Sequence, residues 1–437
     1  MFDRYEEQKA SESHGDIIVW PLKVVTDYLE QTADYSILAT EIPYTSRKDN
    51  HKTKETASLF EHLKKEINYI EQHFLPETFL SCYGDGDWDD TLQPYDNRLK
   101  EQMASSWTVA LTYQVLKKFA ALITEIDATY SQHLTILVAG IKNDFQKYML
   151  ADETIPGFIY METPETFEQM IHPNDQKTGI QYRLLPMTRS MLAELLTPEQ
   201  VSHHLEIIEK ELTFPDGVRL MNKPANYRGG VSTNFKRAEQ AANFGREIGL
   251  QYVHAHIRYT EAMAKIGQRD KTWQALMQIN PVQLKEVVHN AELRQANAYF
   301  SSSDGDFKTR YESQENFGKL KDGSIGVKGG WRIYSSGPGI YLNQLITAVL
   351  GIRQKAQSVV FDPMLPEKLS GLTLTYQLFD KPVTYKFYPN QSAKIVIDGQ
   401  EVPFKFEENP YREGGMEVQK DEVLSLLNEA SVIEIYH

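Results

Sequence analysis

The stretch DPMLPEKLSGLTLTYQLFDKPVTYKFYP, Asp362–Pro389, is where one kind of sequence gives way to another. Beyond the proline-bounded DPMLPEKL, apolar residues fall on alternate positions: Leu372, Leu374, Tyr376 and Leu378, then Val383, Tyr385 and Phe387. A period of two puts successive side chains on opposite faces of a strand, so that one face packs inward. AKIVIDGQEVPFKF (Ala393–Phe406) adds two strands around Asp398-Gly399, the strongest short hairpin signal in the chain. SVIEIYH supplies a terminal strand. Residues 359–437 are therefore expected to form a small antiparallel β-domain of the sandwich or jelly-roll kind.

Upstream of this stretch the apolar period is helical. Asp16–Gln31 spaces Ile17, Trp20, Leu22, Val25 and Leu29 for one face, and Lys54–Phe74 does the same with Leu59, Leu63, Ile67 and Ile70. Glu101–Ile123 turns Trp107, Leu111, Leu116 and Phe119 inward. His133–Leu150, Thr197–Leu212 and Ala238–Ile266 repeat the theme, and Gly337 or Gly339 opens a last apolar helix, IYLNQLITAVLGIR. Long helices joined by long loops, with no repeat in the solenoid range, point to an α/α toroid over residues 1–358.

Composition narrows the function classes. The chain has 437 residues, is 41% hydrophobic and 24% charged, and so can bury a sizeable core. Its net charge of -14 argues against a nucleic-acid partner. The 24 tyrosines suit a neutral, sugar-like substrate. Cys82 is the only cysteine, which excludes internal disulfides and cysteine-built metal sites. No apolar run is long enough to span a bilayer, and MFDRYEEQKASESHGD lacks the apolar core of a signal peptide. A cytoplasmic protein is the simplest expectation.

Chemistry concentrates in CYGDGDWDDTLQP, Cys82–Pro94, which holds four aspartates, two glycines and a tryptophan. Three readings compete. A calcium loop would need Gly at its sixth position and Glu at its twelfth, where this sequence has Asp90 and Asp96. A solvated acidic turn leaves Trp88 unexplained. A glycosidic acid site explains both, because a carboxyl packed against an indole and other carboxylates keeps its proton nearer neutral pH. Elsewhere, YSSGPG before the last helix offers hydroxyls and backbone N–H groups to a phosphate, or is an ordinary turn. His254 and His256 lie two apart, so on a helix they do not share a face. In NFKRAEQAANFGREIG, Lys236, Arg237 and Glu239 read as a solvated helix face, while Arg246 and Glu247 follow a glycine and could reach a cleft. The zinc, P-loop and G-x-S-x-G signatures are all absent.

GDWDD (Gly86–Asp90), followed by SSWTVAL (Ser105–Leu111), resembles the Gly-Asp-Trp-Asn-Asp segment of glycoside hydrolase family 94-type inverting phosphorylases. Three more segments extend the resemblance in order. Ser13–Leu38 looks like the family's helix opening with a sugar-binding turn, Tyr252–Pro281 like its phosphate-binding histidine segment, and Trp331–Arg353 like its phosphate loop and helix. The resemblance implies an (α/α)6-barrel with a β-domain behind it. It implies Asp90 as general acid, Asp16 on the sugar, and His254, Ser335 and Ser336 on phosphate; the residues themselves add Asp87 and Trp88 as sugar-site candidates, with Glu247 reaching the cleft.

Two departures stand out: Asp89 where many members have Asn, and Gly15 where the sugar-binding turn has a first Asp. Family members also carry an N-terminal β-sandwich, a linker and earlier barrel helices. A barrel incomplete at its N-terminus is therefore expected, either a fragment or one completed by a partner, with Arg4 or Lys9 standing in for an upstream phosphate-binding Arg. A homodimer is the other assembly the family implies. The expected activity is inverting phosphorolysis of β-glucan oligosaccharides, β-1,2 favoured, with inorganic phosphate as co-substrate and no cofactor or metal. An inverting hydrolase on the same scaffold, or a non-catalytic carbohydrate-binding or assembly fragment, are the alternatives.

Overall fold

The computed structural model describes residues 14–46, 48–49, 51–240, 249–292, 300–330 and 336–437. The chain divides into two compact units: Met1–Pro186 with Pro224–Ile248, and Met187–Lys223 with Gly249–His437.

The first unit is organised around four helices: α1 (Val19–Thr32), α2 (Leu59–Gln72), α3 (Asn97–Gln102) and α4 (Ser106–Leu122), followed by α5 (Ala128–Asp144). Helix α4 is buried on nearly every side, from Ser106 through Tyr113 and again at Val115, Leu116, Phe119 and Ala120. A helix apolar all round belongs at the centre of its unit. Trp107 near its start lies 6.2 Å from Trp20 of α1, which couples the openings of the two helices.

The helix expected from Lys54 begins only at Leu59. Lys52–Ser58 instead pairs antiparallel with Glu41–Thr45, and Ser58 caps α2 by accepting the Glu61 N–H at 3.3 Å. The helix expected from Glu101 is likewise interrupted. Met103–Ser105 forms an edge of a three-stranded sheet with Phe158–Thr163 and Thr166–Met170 before α4 starts.

In the second unit, α6 (Leu184–Leu192, most of which lies here) precedes α7 (Pro198–Ile207), α8 (Val253–Lys265) and α9 (Arg269–Gln278). Helix α7 has a reciprocal capping box between Thr197 and Gln200. The long helix expected over Ala238–Ile266 is a correction: Gln251–Tyr252 is a short strand, and the helix starts at Val253.

The alternating tail forms strands as its pattern requires. The five-stranded sheet runs Leu372–Leu378, Lys381–Tyr388, Ser431–Tyr436, Lys394–Ile397, Gln400–Val402. Asp398 and Gly399 adopt φ of 49° and 85°, the turn that their hairpin signal predicts. One pairing is parallel rather than antiparallel, Lys381–Tyr388 against Ser431–Tyr436. A second sheet takes in Ile352–Gln354, Ser358–Phe361, Met416–Gln419 and Lys405–Phe406. Tyr385, Phe387, Ile395, Ile433, Ile435, Phe361 and Val418 share one core.

Candidate active site

The acidic stretch is a folded loop in the first unit, and its four carboxylates have four different environments. Asp85 forms an ion pair with Lys100. Asp87 is fully buried and accepts hydrogen bonds from Arg183 Nη2 on both oxygens, 3.1 Å each. Ser105 Oγ donates to Asp87 Oδ2 at 2.8 Å, and the Asp89 N–H donates to Oδ1 at 2.9 Å. Asp89 is equally buried; it accepts from Thr91 Oγ1 at 2.6 Å and lies 3.8 Å from Arg183. Asp90, which begins a short 3-10 turn, keeps 43% of its side chain exposed and has Arg237 Nη1 at 3.7 Å.

These environments decide between the readings of the stretch. A solvated turn does not hold two of its carboxylates at zero exposure. Nor do those carboxylates converge on a cation, because the Arg183 guanidinium already occupies their midst and packs 5.0 Å over the Phe158 ring. Buried charges persist where they are paired, and Arg183 pairs with Asp87 at 3.1 Å and lies 3.8 Å from Asp89. The loop is thus a rigid cradle that leaves one carboxyl, Asp90, to the outside.

Ser105 does three jobs. Its Oγ caps α4 by accepting the Thr108 N–H at 3.5 Å, donates to Asp87, and accepts from Arg183 Nη1 at 3.4 Å. The central helix therefore fixes the cradle directly. On its far side the loop pairs with Asn234–Ala238. The Tyr95 N–H donates to Asn234 O at 3.0 Å, Lys236 N–H to Gln93 O at 2.9 Å, and Ala238 N–H to Thr91 O at 3.0 Å. This strut carries Arg237 to Asp90. Lys236, Arg237 and Glu239 are accordingly not a solvated helix face. Glu239 is buried and accepts backbone N–H bonds from Thr233, Asn234 (2.9 Å) and Phe235 (3.1 Å).

Asp16 lies one turn ahead of Trp20, whose Nε1 donates to Asp16 Oδ2 at 2.9 Å. Burial and the nearby Asp87 charge push its carboxyl up to about 6. The Gly15 position, where the family's sugar-binding turn has a first Asp, has no room for one. A Cβ there would meet Tyr83 O at 2.7 Å and Cys82 O at 3.0 Å, and the Gly15 N–H already donates to Gly86 O at 2.9 Å. Close backbone approach, not sugar contact, explains that glycine.

A pH dependence follows from Asp16. Its folded-state value lies above that of an ordinary carboxyl, so the folded form holds the proton more tightly than the unfolded chain. Its contribution to stability is full below pH ~4 and is lost as pH rises to ~6, by about 3 kcal/mol. Asp16→Asn cannot ionise. Its melting temperature relative to the parent should rise by several degrees between pH 4 and pH 7. A difference that stays constant across that range contradicts the burial argument.

The phosphate candidates lie in the second unit. The two histidines of YVHAHIRY separate cleanly. His256 is fully buried; its Nδ1 accepts the Val218 N–H at 3.1 Å, and Nε2 pairs with Ala275 O at 2.7 Å. It is a satisfied core residue. His254, in the first turn of α8, is held near 4 by burial and then by Arg258 and Arg189. A neutral imidazole beside two guanidiniums and a helix N-terminus is a setting that favours an anion. Glu247 and Ser335 lie outside the described residues, as do Arg4, Lys9 and Arg246; for Ser336 only the backbone is described, as the first residue of the helix Ser336–Gln344.

Sequence reasoning missed Arg183, which stands 96 positions from Asp87 in QYRLLPM, a segment with no motif. Ser105 was readable as a helix cap in SSWTVAL, but its bond to Asp87 was not. Asp87, expected on the sugar, is fully buried and accepts hydrogen bonds from Arg183, Ser105 and the Asp89 N–H, while Trp88 is half-buried between the two buried aspartates in sequence.

Residues 3–308 match the family described as the glycosyl hydrolase 94 superfamily, catalytic domain. Residues 351–436 match the glycoside phosphorylase C-terminal domain. The chain is 51% identical over 433 residues to the 1,2-beta-oligoglucan phosphorylase of Listeria innocua, an alignment that covers 99% of this chain and 39% of that protein. It is 22% identical over 386 residues to the cyclic beta-(1,2)-glucan synthase NdvB of Rhizobium meliloti, covering 82% of this chain and 12% of that protein. With the solabiose phosphorylase of Paenibacillus borealis it shares 24% identity over 213 residues, 48% of this chain and 26% of that protein. The chain thus spans at most 39% of the length of these curated relatives.

Proposed function

This chain belongs to the glycosyl hydrolase 94 superfamily, and from that premise we propose that it is a carbohydrate phosphorylase module acting on β-glucan oligosaccharides, β-1,2-linked ones first. The observation that carries the reading is the acid loop, where Asp85, Asp87 and Asp89 are tied down and Asp90 alone retains 43% exposure. A general acid must reach the leaving oxygen; a structural carboxylate need not.

In the proposed reaction a phosphate oxygen attacks the anomeric carbon from the face opposite the leaving group. The glycosidic C–O bond breaks as the new C–O–P bond forms, and Asp90 delivers its proton to the departing oxygen. The products are α-glucose 1-phosphate and a glucan one unit shorter. Asp16 and Trp88 hold the reacting glucosyl ring, with Asp87 positioning the loop beneath. His254, Ser335 and Ser336 take the phosphate, and Glu247 contributes to the sugar site. Phosphate is itself the nucleophile, so no second carboxylate is needed as base, unlike an inverting hydrolase. The mechanism draws on inorganic phosphate as co-substrate and on no metal or organic cofactor.

Family membership supports reading the helices as part of an (α/α)6-barrel over residues 1–358, with a β-sandwich or jelly-roll domain over 359–437. No helix among the described residues is long and apolar enough to cross a membrane, which is compatible with a cytoplasmic setting. The functional test is phosphate dependence. With β-1,2-oligoglucan, sugar phosphate is expected to appear only when phosphate is supplied. Equal sugar release without it, as free glucose, would make the protein a hydrolase instead.

A further inference from the structure

In the second unit, a cavity of about 320 Å3 opens between the α8–α9 turn and the β-rich C-terminal region, within the size range of small-molecule sites. Its polar wall includes Arg269, Arg412, His437 and Gln391, with Asp362 and Glu413 as the carboxylates. Asp362 is already committed. Arg412 donates to its two oxygens at 2.8 and 2.9 Å, and Arg353 adds a bond at 3.1 Å. Glu413 is exposed.

That leaves positive charge and hydrogen-bonding capacity without an answer. Arg269 Nη1 donates to the neutral Asn390 Oδ1 at 3.0 Å, and Arg269 has no carboxylate in ion-pair range among the described residues. Burial, then the facing Arg412, weakens its hold on its proton. His437 is the stronger sign. Both its ring nitrogens are buried and neither has a hydrogen-bond partner. Burial, then Arg269, drives the ring down to about 3, so it stands as a neutral imidazole offering one N–H and one lone pair. Buried polar atoms are almost always paired, and His437, which lines this cavity, leaves both ring nitrogens unpaired.

We propose that this cavity is an anion site for a phosphoryl group carried on a small polyol, a hexose monophosphate being of suitable size. Guanidinium groups match phosphoryl oxygens in geometry as well as charge. The imidazole N–H and lone pair suit a ligand that also carries hydroxyls. The volume exceeds what a bare phosphate fills. The residues involved are not those of the phosphorolysis reading, and the site stands or falls apart from it.

The experiment follows the His437 ring signal in 13C-histidine-labelled protein, assigned by its absence from His437→Gln. Titrants are α-glucose 1-phosphate, inorganic phosphate and glucose. Saturable movement with the phosphate-bearing titrants, none with glucose, and affinity weakened about ten-fold in Arg269→Gln are expected. Equal responses to the two phosphates would assign recognition to the phosphoryl group alone and keep the site. Absence of a saturable response to either at about 10 mM, or an unchanged response in Arg269→Gln, overturns it.

Discussion

Asp90→Asn is expected to reduce turnover of β-1,2-oligoglucan by about 10²–10⁴-fold while leaving the melting temperature within a degree or so of the parent. The two halves of that expectation come from the same observation. Asp90 is 43% exposed and its ion-pair partner Arg237 lies 3.7 Å away and is itself 40% exposed, so its removal costs the fold little. Its neighbours, by contrast, are at zero exposure and could not be changed so cheaply. The acid role makes a further demand. The loss should shrink for a substrate with an aryl leaving group, which departs without being protonated. A uniform loss across leaving groups would mean that Asp90 orients the sugar rather than protonating it. A large fall in melting temperature would mean that it holds the loop.

The largest stability effect is expected at Arg183. Replacing it by Met removes the guanidinium that pairs with buried Asp87 at 3.1 Å and lies 3.8 Å from buried Asp89. Breaking a buried pair in this way costs about 3–5 kcal/mol, because the remaining charge stays desolvated. The melting transition should fall by roughly 10 °C. Changing Asp87 to Asn in the same protein should recover part of the loss, since the orphaned charge is then gone. Activity should fall as well, although Arg183 is nowhere at the surface, because the loop that aims Asp90 loses its anchor. A single variant that melts with the parent would show that the pair contributes nothing to the cradle.

How much of this was legible in the sequence depends on whether the cause is local. The Asp398-Gly399 hairpin and the alternation from Leu372 were readable because strand period and turn chemistry are written in adjacent residues. So were α1 and α4, whose apolar spacing is helical. Lys54–Ser58 misled because Lys54, Glu55 and Ala57 are good helix formers, a local preference that tertiary pairing overrides. Only pairing with Glu41–Thr45 decides them. Asn234–Ala238 misled for the same reason: its backbone bonds go to the acid loop, about 140 positions earlier. The acid loop itself was legible as a place of chemistry but not as a division of labour. Four aspartates in a row of six residues look alike until Arg183 and Ser105 arrive from elsewhere in the chain. Gly15 shows the reverse case, where a missing side chain reads as lost function and the structure gives a packing reason for it.

The central claim is that phosphate attacks one face of the glucosyl ring while Asp90 protonates the oxygen leaving the other. The most direct test is the anomeric configuration of the first sugar phosphate formed from β-1,2-oligoglucan and phosphate, read by NMR before any equilibration. The expected product is α-glucose 1-phosphate, formed by the parent and not by Asp90→Asn; β-glucose 1-phosphate, or the same α product at an undiminished rate from Asp90→Asn, would contradict it.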